Sequence, residues 1–206
     1  MTAVDPIPRT VLFLDPSSTS IGWAAFNTRL GLLDSFGLIG PPKSGMSSLN
    51  RIDAMSEALK GLLEDVQPGL VVIEWTGGKI HGQYGRIAGL AVLGQAQGDY
   101  RRQVLSFGYK VETVDNNLWT RSKSKAKRAE RTVIEYPEFR EWAGPWKMVK
   151  GKKGGEEIGG LTNDPGMDVA DAIGLGSWWL KQQRGGQPER YSPPRKQGRK
   201  KRAKRK

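Results

Sequence analysis

Val11-Leu12-Phe13-Leu14 is an unbroken apolar run, too short for a helix, and it ends in a carboxylate, Asp15. A run of that length before turn residues reads as a strand covered on both faces. Pro16-Ser17-Ser18 turns the chain, and Ile21 to Phe26 reads as a second strand returning beside the first. Leu70-Val71-Val72-Ile73 repeats the pattern and ends in Glu74. Between the two runs, Ser47 or Ser48 can cap a helix reaching about Val66. Its Ile52, Met55, Leu59, Leu62, Leu63 and Val66 recur at three- and four-residue steps until Gln67-Pro68-Gly69 stops it. Strand, helix, strand in that order predicts a right-handed crossover and parallel pairing. Asp15 and Glu74 then stand at the exit ends of neighbouring buried strands. Carboxylates brought together there repel and are costly to bury unless a cation or donors meet them. The plainer reading of Asp15 is a turn residue that caps its own loop.

The remaining elements fill in around this pair. Leu30 to Ile39 completes an antiparallel meander, Arg86 to Phe107 reads as a helix and Tyr109 to Val114 as a further strand. From Asn116 the chain turns basic, with a helix from about Ser124 to Glu135. Residues 136–163, rich in Pro, Gly and charge, read as a long insertion loop. Asp164 caps a last helix, Pro165 opens it, and it runs to about Gln183. Asp168 and Asp171 share one face of that helix. Acids in a first turn also complement the helix dipole; this accounts well for Asp168 and less well for Asp171, a turn further in. The fold class is α/β, a mixed five-stranded sheet flanked by helices over residues 1–183, followed by a basic tail, 184–206, expected to be disordered.

Composition narrows the chemistry. The 206 residues contain no cysteine and one histidine, His81, so thiolate chemistry, a disulfide framework and a His-rich metal site are excluded or improbable on supply alone. Carboxylates and lysines are left for catalysis. No apolar run approaches the ~20 residues of a membrane span, and Met1 to Arg9 lacks the apolar core of a signal peptide, so an intracellular, soluble protein is expected. The net charge is +12, and Arg195 to Lys206 carries nine basic residues and no acid, leaving +3 for the rest (12 minus 9). Such a tail suits a polyanion, most simply nucleic acid; a solubilising or localising role is the alternative. The 121–131 segment, with Arg121, Lys123, Lys125, Lys127 and Arg128, is a solvated face or, beside an acidic site, a phosphate-facing wall.

Strand-strand-strand-helix-strand with a late acid-bearing helix is the layout of the ribonuclease H-like fold. At the residue level the chain resembles the RuvC-type Holliday junction resolvases. The family's first strand ends in an Asp-Pro-Gly-Ser-like turn leading to a Gly-aromatic pair; here these are Asp15-Pro16-Ser17-Ser18 and Gly22-Trp23. A helix that begins with Arg and ends in Gln-Pro, here Arg51 to Gln67-Pro68, precedes an Ile-Glu pair, here Ile73-Glu74. Leu93-Gly94-Gln95-Ala96-Gln97-Gly98 matches the Leu-Gly-Gln-Ala-basic-Gly segment except at Gln97, and Asp168-Val169-Ala170-Asp171-Ala172 matches the closing Asp-x-Ala-Asp-Ala. The likeness spans about residues 10 to 182 and lies nearer to divergent phage or organellar branches. Gly77 stands where cellular members often place a base-stacking aromatic, which leaves Trp75 or Tyr84 as substitutes.

The resemblance implies a Mg²⁺-dependent structure-selective endonuclease of DNA recombination and repair that resolves four-way junctions. It implies two Mg²⁺ ions, replaceable by Mn²⁺, held by Asp15, Glu74, Asp168 and Asp171, with Asp15 bridging. It also implies a catalytic lysine ahead of the last helix; of Lys123, Lys125 and Lys127, Lys125 is the choice. Trp75, Lys79, Tyr84, Arg121, Lys123, Lys127 and Arg128 would contact DNA. A homodimer is expected, because a four-way junction needs two symmetric cuts. The alternatives are a related nuclease for other branched or duplex DNA, and a non-catalytic junction-binding protein. A cytoplasmic, nucleoid or organellar location fits each of them.

Overall fold

The computed structural model describes residues 7–76, 84–120, 123–150, 156–161 and 164–185. Its centre is a five-stranded sheet of order β3-β2-β1-β4-β5, formed by β1 (Thr10–Pro16), β2 (Ile21–Asn27), β3 (Leu32–Ile39), β4 (Leu70–Trp75) and β5 (Val111–Asp115). The first three strands form an antiparallel meander, while β4 lies parallel to β1 and β5 parallel to β4. The connection from β1 through β3 to β4 includes helix α1 (Ser48–Val66), capped by the Ser47 side chain, which accepts from the Asn50 N–H. The α1 C-terminus ends in Gln67 in the left-handed region (φ 46°), which turns the chain back to β4.

Helix α2 (Tyr84–Ser106) lies with α1 on one face of the sheet. The other face carries α3 (Asn116–Thr120), α4 (Lys125–Glu135), α5 (Pro137–Ala143) and α6 (Asp164–Gln183). Side-chain alternation along the strands builds both cores at once. Leu12, Leu14, Val71 and Ile73 pack toward α1 and α2, while Val11, Phe13 and Val72 pack toward α6. All seven are fully buried, which is why these strands read as continuous apolar runs.

Two segments go beyond the elements read from the sequence. Asn116 to Thr120 forms α3, a single short turn of helix that follows β5 without a gap and carries no apolar periodicity to announce it. The 136–163 segment, read as a loop, contains α5 and a two-stranded antiparallel sheet of β6 (Trp146–Lys150) and β7 (Glu156–Leu161). Phe139 and Trp142 of α5 pack edge-on to Phe36 of β3, so aromatic contacts hold a stretch whose composition suggests a loop. The tail from residue 186 onward lies outside the described residues, as do Gly77, Lys79, His81 and Arg121.

Candidate functional site

The same alternation that builds the core sets the acids. Phe13 faces α6, so Asp15, two residues on, emerges toward the same layer; Val72 does the same for Glu74. Leu14 pairs with Ile73 in the parallel register, so Asp15 and Glu74 come next on adjoining strands. In the other direction Asp15 pairs with Gly22 of β2. A Cβ on Gly22 would stand 2.2 Å from the backbone carbonyl of Asp168. The missing side chain therefore lets the first turns of α6 settle directly on the strand beside Asp15. The four acids predicted from sequence converge on one lip: the charges of Glu74, Asp171 and Asp168 all act on the Asp15 carboxyl.

Each acid except Asp15 is met by protein donors. Glu74, 5% exposed, accepts from the Asn116 side-chain amide and, at 2.8 Å, from the Trp119 indole N–H. Gln97, at the position where the family pattern has a basic residue, donates instead to the Glu74 backbone carbonyl at 3.2 Å and to Thr76. Asp168 accepts from Ser20 Oγ and from Lys125 Nζ, each at 2.5 Å. Asp171, 3% exposed, receives a two-pronged bond from Arg128, Nε at 2.8 Å and Nη2 at 2.7 Å, with Lys125 Nζ at 3.8 Å. Among the described residues Asp15 accepts no side-chain hydrogen bond.

Two helices arrange the cations. Lys125 and Arg128 are three apart on α4, as Asp168 and Asp171 are on α6, so two matched rows face each other. The Thr132 hydroxyl locks them together by bonding both the Arg128 and the Ala170 carbonyls at 3.1 Å. Arg128 also lies over the Trp119 ring, 5.3 Å from its centroid, and donates to the Lys123 carbonyl. Arg128, predicted to grip DNA phosphate, has its guanidinium committed to Asp171, and its side chain is only 14% exposed. Lys123 and Lys127 are exposed, Lys125 is partly so, and Trp75 is half-buried at the end of β4. Tyr84 opens α2, and its side chain is outside the described residues.

The electrostatics follow the crowding. Burial first, then the charges of Glu74, Asp171 and Asp168, push the Asp15 carboxyl well above the usual range against the opposing Lys125. Burial raises Glu74 to about 7 despite its bonds from Asn116 and Trp119. Burial also raises Asp171, with Arg128 opposing. Burial works against the Lys125 ammonium, but the bond to Asp168 and the surrounding acids outweigh it and raise its pKa.

Four carboxyl groups face two cations at the lip, and the raised pKa values of Asp15, Glu74 and Asp171 mark how incompletely that acid excess is compensated. Hard oxygen donors with that surplus suit a hard divalent cation such as Mg²⁺. The side chains do not form a ready-made cage, however. Among the described residues no three acids are set around one point as a metal ion requires, and Lys125 and Arg128 pair with Asp168 and Asp171. Ser20, Asn116, Trp119 and the Asp171-binding role of Arg128 were not foreseen. Asn116 could have been found by asking which residue leaves β5 at the same end of the sheet as Glu74, and Trp119 by its i+3 spacing from Asn116. Ser20 and Arg128 act through contacts across the fold, which carry no local signal.

No family model matches the sequence, and no curated protein matches it. Solved structures do. Thermus thermophilus RuvC in complex with a Holliday junction substrate superposes with a TM-score of 0.56 at 14% identity, covering 85% of this chain and 96% of that one. The fold is that of the RuvC resolvases. A second Thermus thermophilus RuvC structure gives 0.55 at 13% identity, over 86% of this chain and 97% of that one. The yeast mitochondrial Holliday junction resolvase Ydc2 gives 0.51 at 12% identity, over 89% and 83%. No helix among the described residues is long and apolar enough to cross a membrane.

Proposed function

We propose that this chain is a Mg²⁺-dependent endonuclease that resolves four-way DNA junctions by paired phosphodiester hydrolysis, acting as a homodimer. The observation that carries the reading is the convergence of Asp15, Glu74, Asp168 and Asp171, from three separate elements, on one lip of the sheet. The fold shared with RuvC, a structure solved in complex with a Holliday junction substrate, supports a junction as the substrate class. Asp15, Glu74, Asp168 and Asp171 would hold two divalent ions, with Mn²⁺ able to substitute. When bound, such ions supply an activated water and stabilise the leaving 3′ oxygen.

The protein's own groups have separable tasks. Asn116 and Trp119 fix both oxygens of Glu74 so that its carboxylate presents one geometry. Lys125, paired with Asp168 here, would compete with a metal for that acid, and its ammonium would offset charge that grows on a phosphate held at the lip. Arg128 orients Asp171 through a two-pronged bond and opposes the rise that burial gives its pKa. Two copies are needed because a four-way junction has two equivalent strands to cut. Trp75 and Tyr84 border the DNA, with Lys79, Arg121, Lys123 and Lys127 meeting phosphates.

The test uses a labelled synthetic four-way junction with Mg²⁺. The wild type should introduce paired, symmetric nicks and spare a linear duplex of the same sequence. Asp15→Asn should bind the junction as tightly and cut it at background rate. Wild-type cutting by that variant would overturn the assignment. One observation favours a second reading, a non-catalytic junction binder: the ion pairs of Lys125 and Arg128 with Asp168 and Asp171 satisfy these acids without metal. That reading predicts junction binding with no cleavage in Mg²⁺ or Mn²⁺.

A further inference from the structure

Next to the acidic lip lies a cleft of about 200 Å³ that shares Trp119 and Arg128 with it. Its other walls include Lys123, just ahead of α4, Arg131 and Glu135 of α4, and Trp178 and Lys181 of α6. Lys123 and Lys181 thus stand in the wall beside Glu135, with Arg128 already matched by Asp171. Glu135 is itself held, accepting from Arg131 Nε at 2.9 Å, Ser177 Oγ at 2.9 Å and Lys181 Nζ at 3.2 Å. Lys123 and Lys181 remain exposed to solvent.

The sharper observation concerns Trp178. Its indole N–H is buried and has no acceptor among the described residues. A buried donor left unmade costs about 1–3 kcal/mol, and an indole N–H can only donate. Trp178 lines the cleft, so an occupant that reaches its indole N–H has to bring an acceptor atom, and the lysines ask that it be anionic. A phosphodiester oxygen meets both demands. The shared wall of Trp119 and Arg128 sets the cleft beside the place where a scissile phosphate would lie, so a strand in the site has a neighbouring phosphate to offer.

We infer that the cleft between α4 and α6 is a second phosphate site, which grips a non-scissile phosphate of the strand being cut through Lys123, Lys181 and the Trp178 N–H. The inference rests on the nuclease reading for its substrate, but it concerns binding and not chemistry.

The experiment measures binding of the full chain to a four-way junction in EDTA across a range of salt concentrations, so that cleavage plays no part. Lys123→Ala with Lys181→Ala should weaken binding about tenfold near 0.1 M salt. It should also reduce the slope of log K against log salt by about 0.9, since one phosphate is no longer neutralised. Lys60→Ala, on α1 across the sheet, should change neither. Trp178→Phe keeps a ring and deletes the N–H; it should weaken binding several-fold at the wild-type slope. The Trp178 indole resonance, assigned by its disappearance in that variant, should shift when junction is added. Wild-type affinity and slope in the double lysine variant, with an unmoved Trp178 resonance, would overturn the proposal while leaving the nuclease reading intact. A shift with inorganic phosphate, with junction binding unchanged in all the variants, would mean a small-anion site and would also overturn it. Wild-type protein that binds no DNA would sink both readings. Cutting by Asp15→Asn would sink only the nuclease assignment.

Discussion

At the scale of single residues, Glu74 is the group whose setting has the clearest consequence. Its folded-state carboxyl is raised from 4.5 to about 7, chiefly by burial. The native state therefore holds this proton more tightly than the unfolded chain does. The associated stability is fully present below about pH 4.5 and is lost as the pH rises through about 7. At 1.36 kcal/mol per unit the loss is on the order of 3 kcal/mol. In EDTA, urea unfolding at pH 5 and pH 8 should show the wild type losing stability relative to Glu74→Gln by roughly that amount. A pH-independent difference between the two proteins would contradict the burial described for Glu74. Arg128 teaches the complementary lesson. In a run of five basic residues nothing local separates the one that pairs inward from those that face water; the distinction exists only once α4 packs on α6.

At the scale of elements, the close approach of α6 to β2 sets the spacing of the acids. Gly22→Ala would drive a methyl group into the Asp168 backbone and displace the first turns of α6 from β2. Overpacking of this kind costs about 1–3 kcal/mol, and junction cleavage should fall more than thermal stability does, because Asp168 and Asp171 move away from Asp15. Gly61→Ala, on α1 with open space around the added carbon, should instead gain roughly 0.5–1 kcal/mol and leave cleavage unchanged. Equal effects of the two substitutions on cleavage would contradict the account. The elements that carry the acids were legible because their patterns are strong: two apolar runs covered on both faces, and helices with caps and periodic apolar positions. Helix α3 is five residues long, and α5 is held by aromatic contacts to β3, so neither writes a period into the sequence. Asp15 and Glu74 could be paired in advance because strand register follows from topology. Their donors could not, since Ser20, Asn116, Trp119 and Arg128 reach them from distant points of the chain.

At the scale of the whole molecule, nine basic residues and no acid fall within Arg195 to Lys206, which leaves +3 of the net +12 for the rest of the chain (12 minus 9). If this segment meets DNA phosphates, removing it should weaken junction binding and lower the salt slope by up to about 0.9 for each phosphate it had neutralised, with the position of the cuts unchanged. Gel-shift titrations at several salt concentrations, read beside cleavage mapping, check both parts. A shifted cut site would mean that the tail takes part in selecting the strand and does more than add affinity.

The central claim is that acids from β1, β4 and α6 are gathered to share divalent ions. Anomalous diffraction from crystals grown with Mn²⁺ tests it most directly. The account predicts manganese at the lip, touching Asp15 and Glu74 and at least one of Asp168 and Asp171, with Lys125 moved off Asp168. Manganese absent from the lip, with the Lys125–Asp168 and Arg128–Asp171 pairs intact, would contradict it.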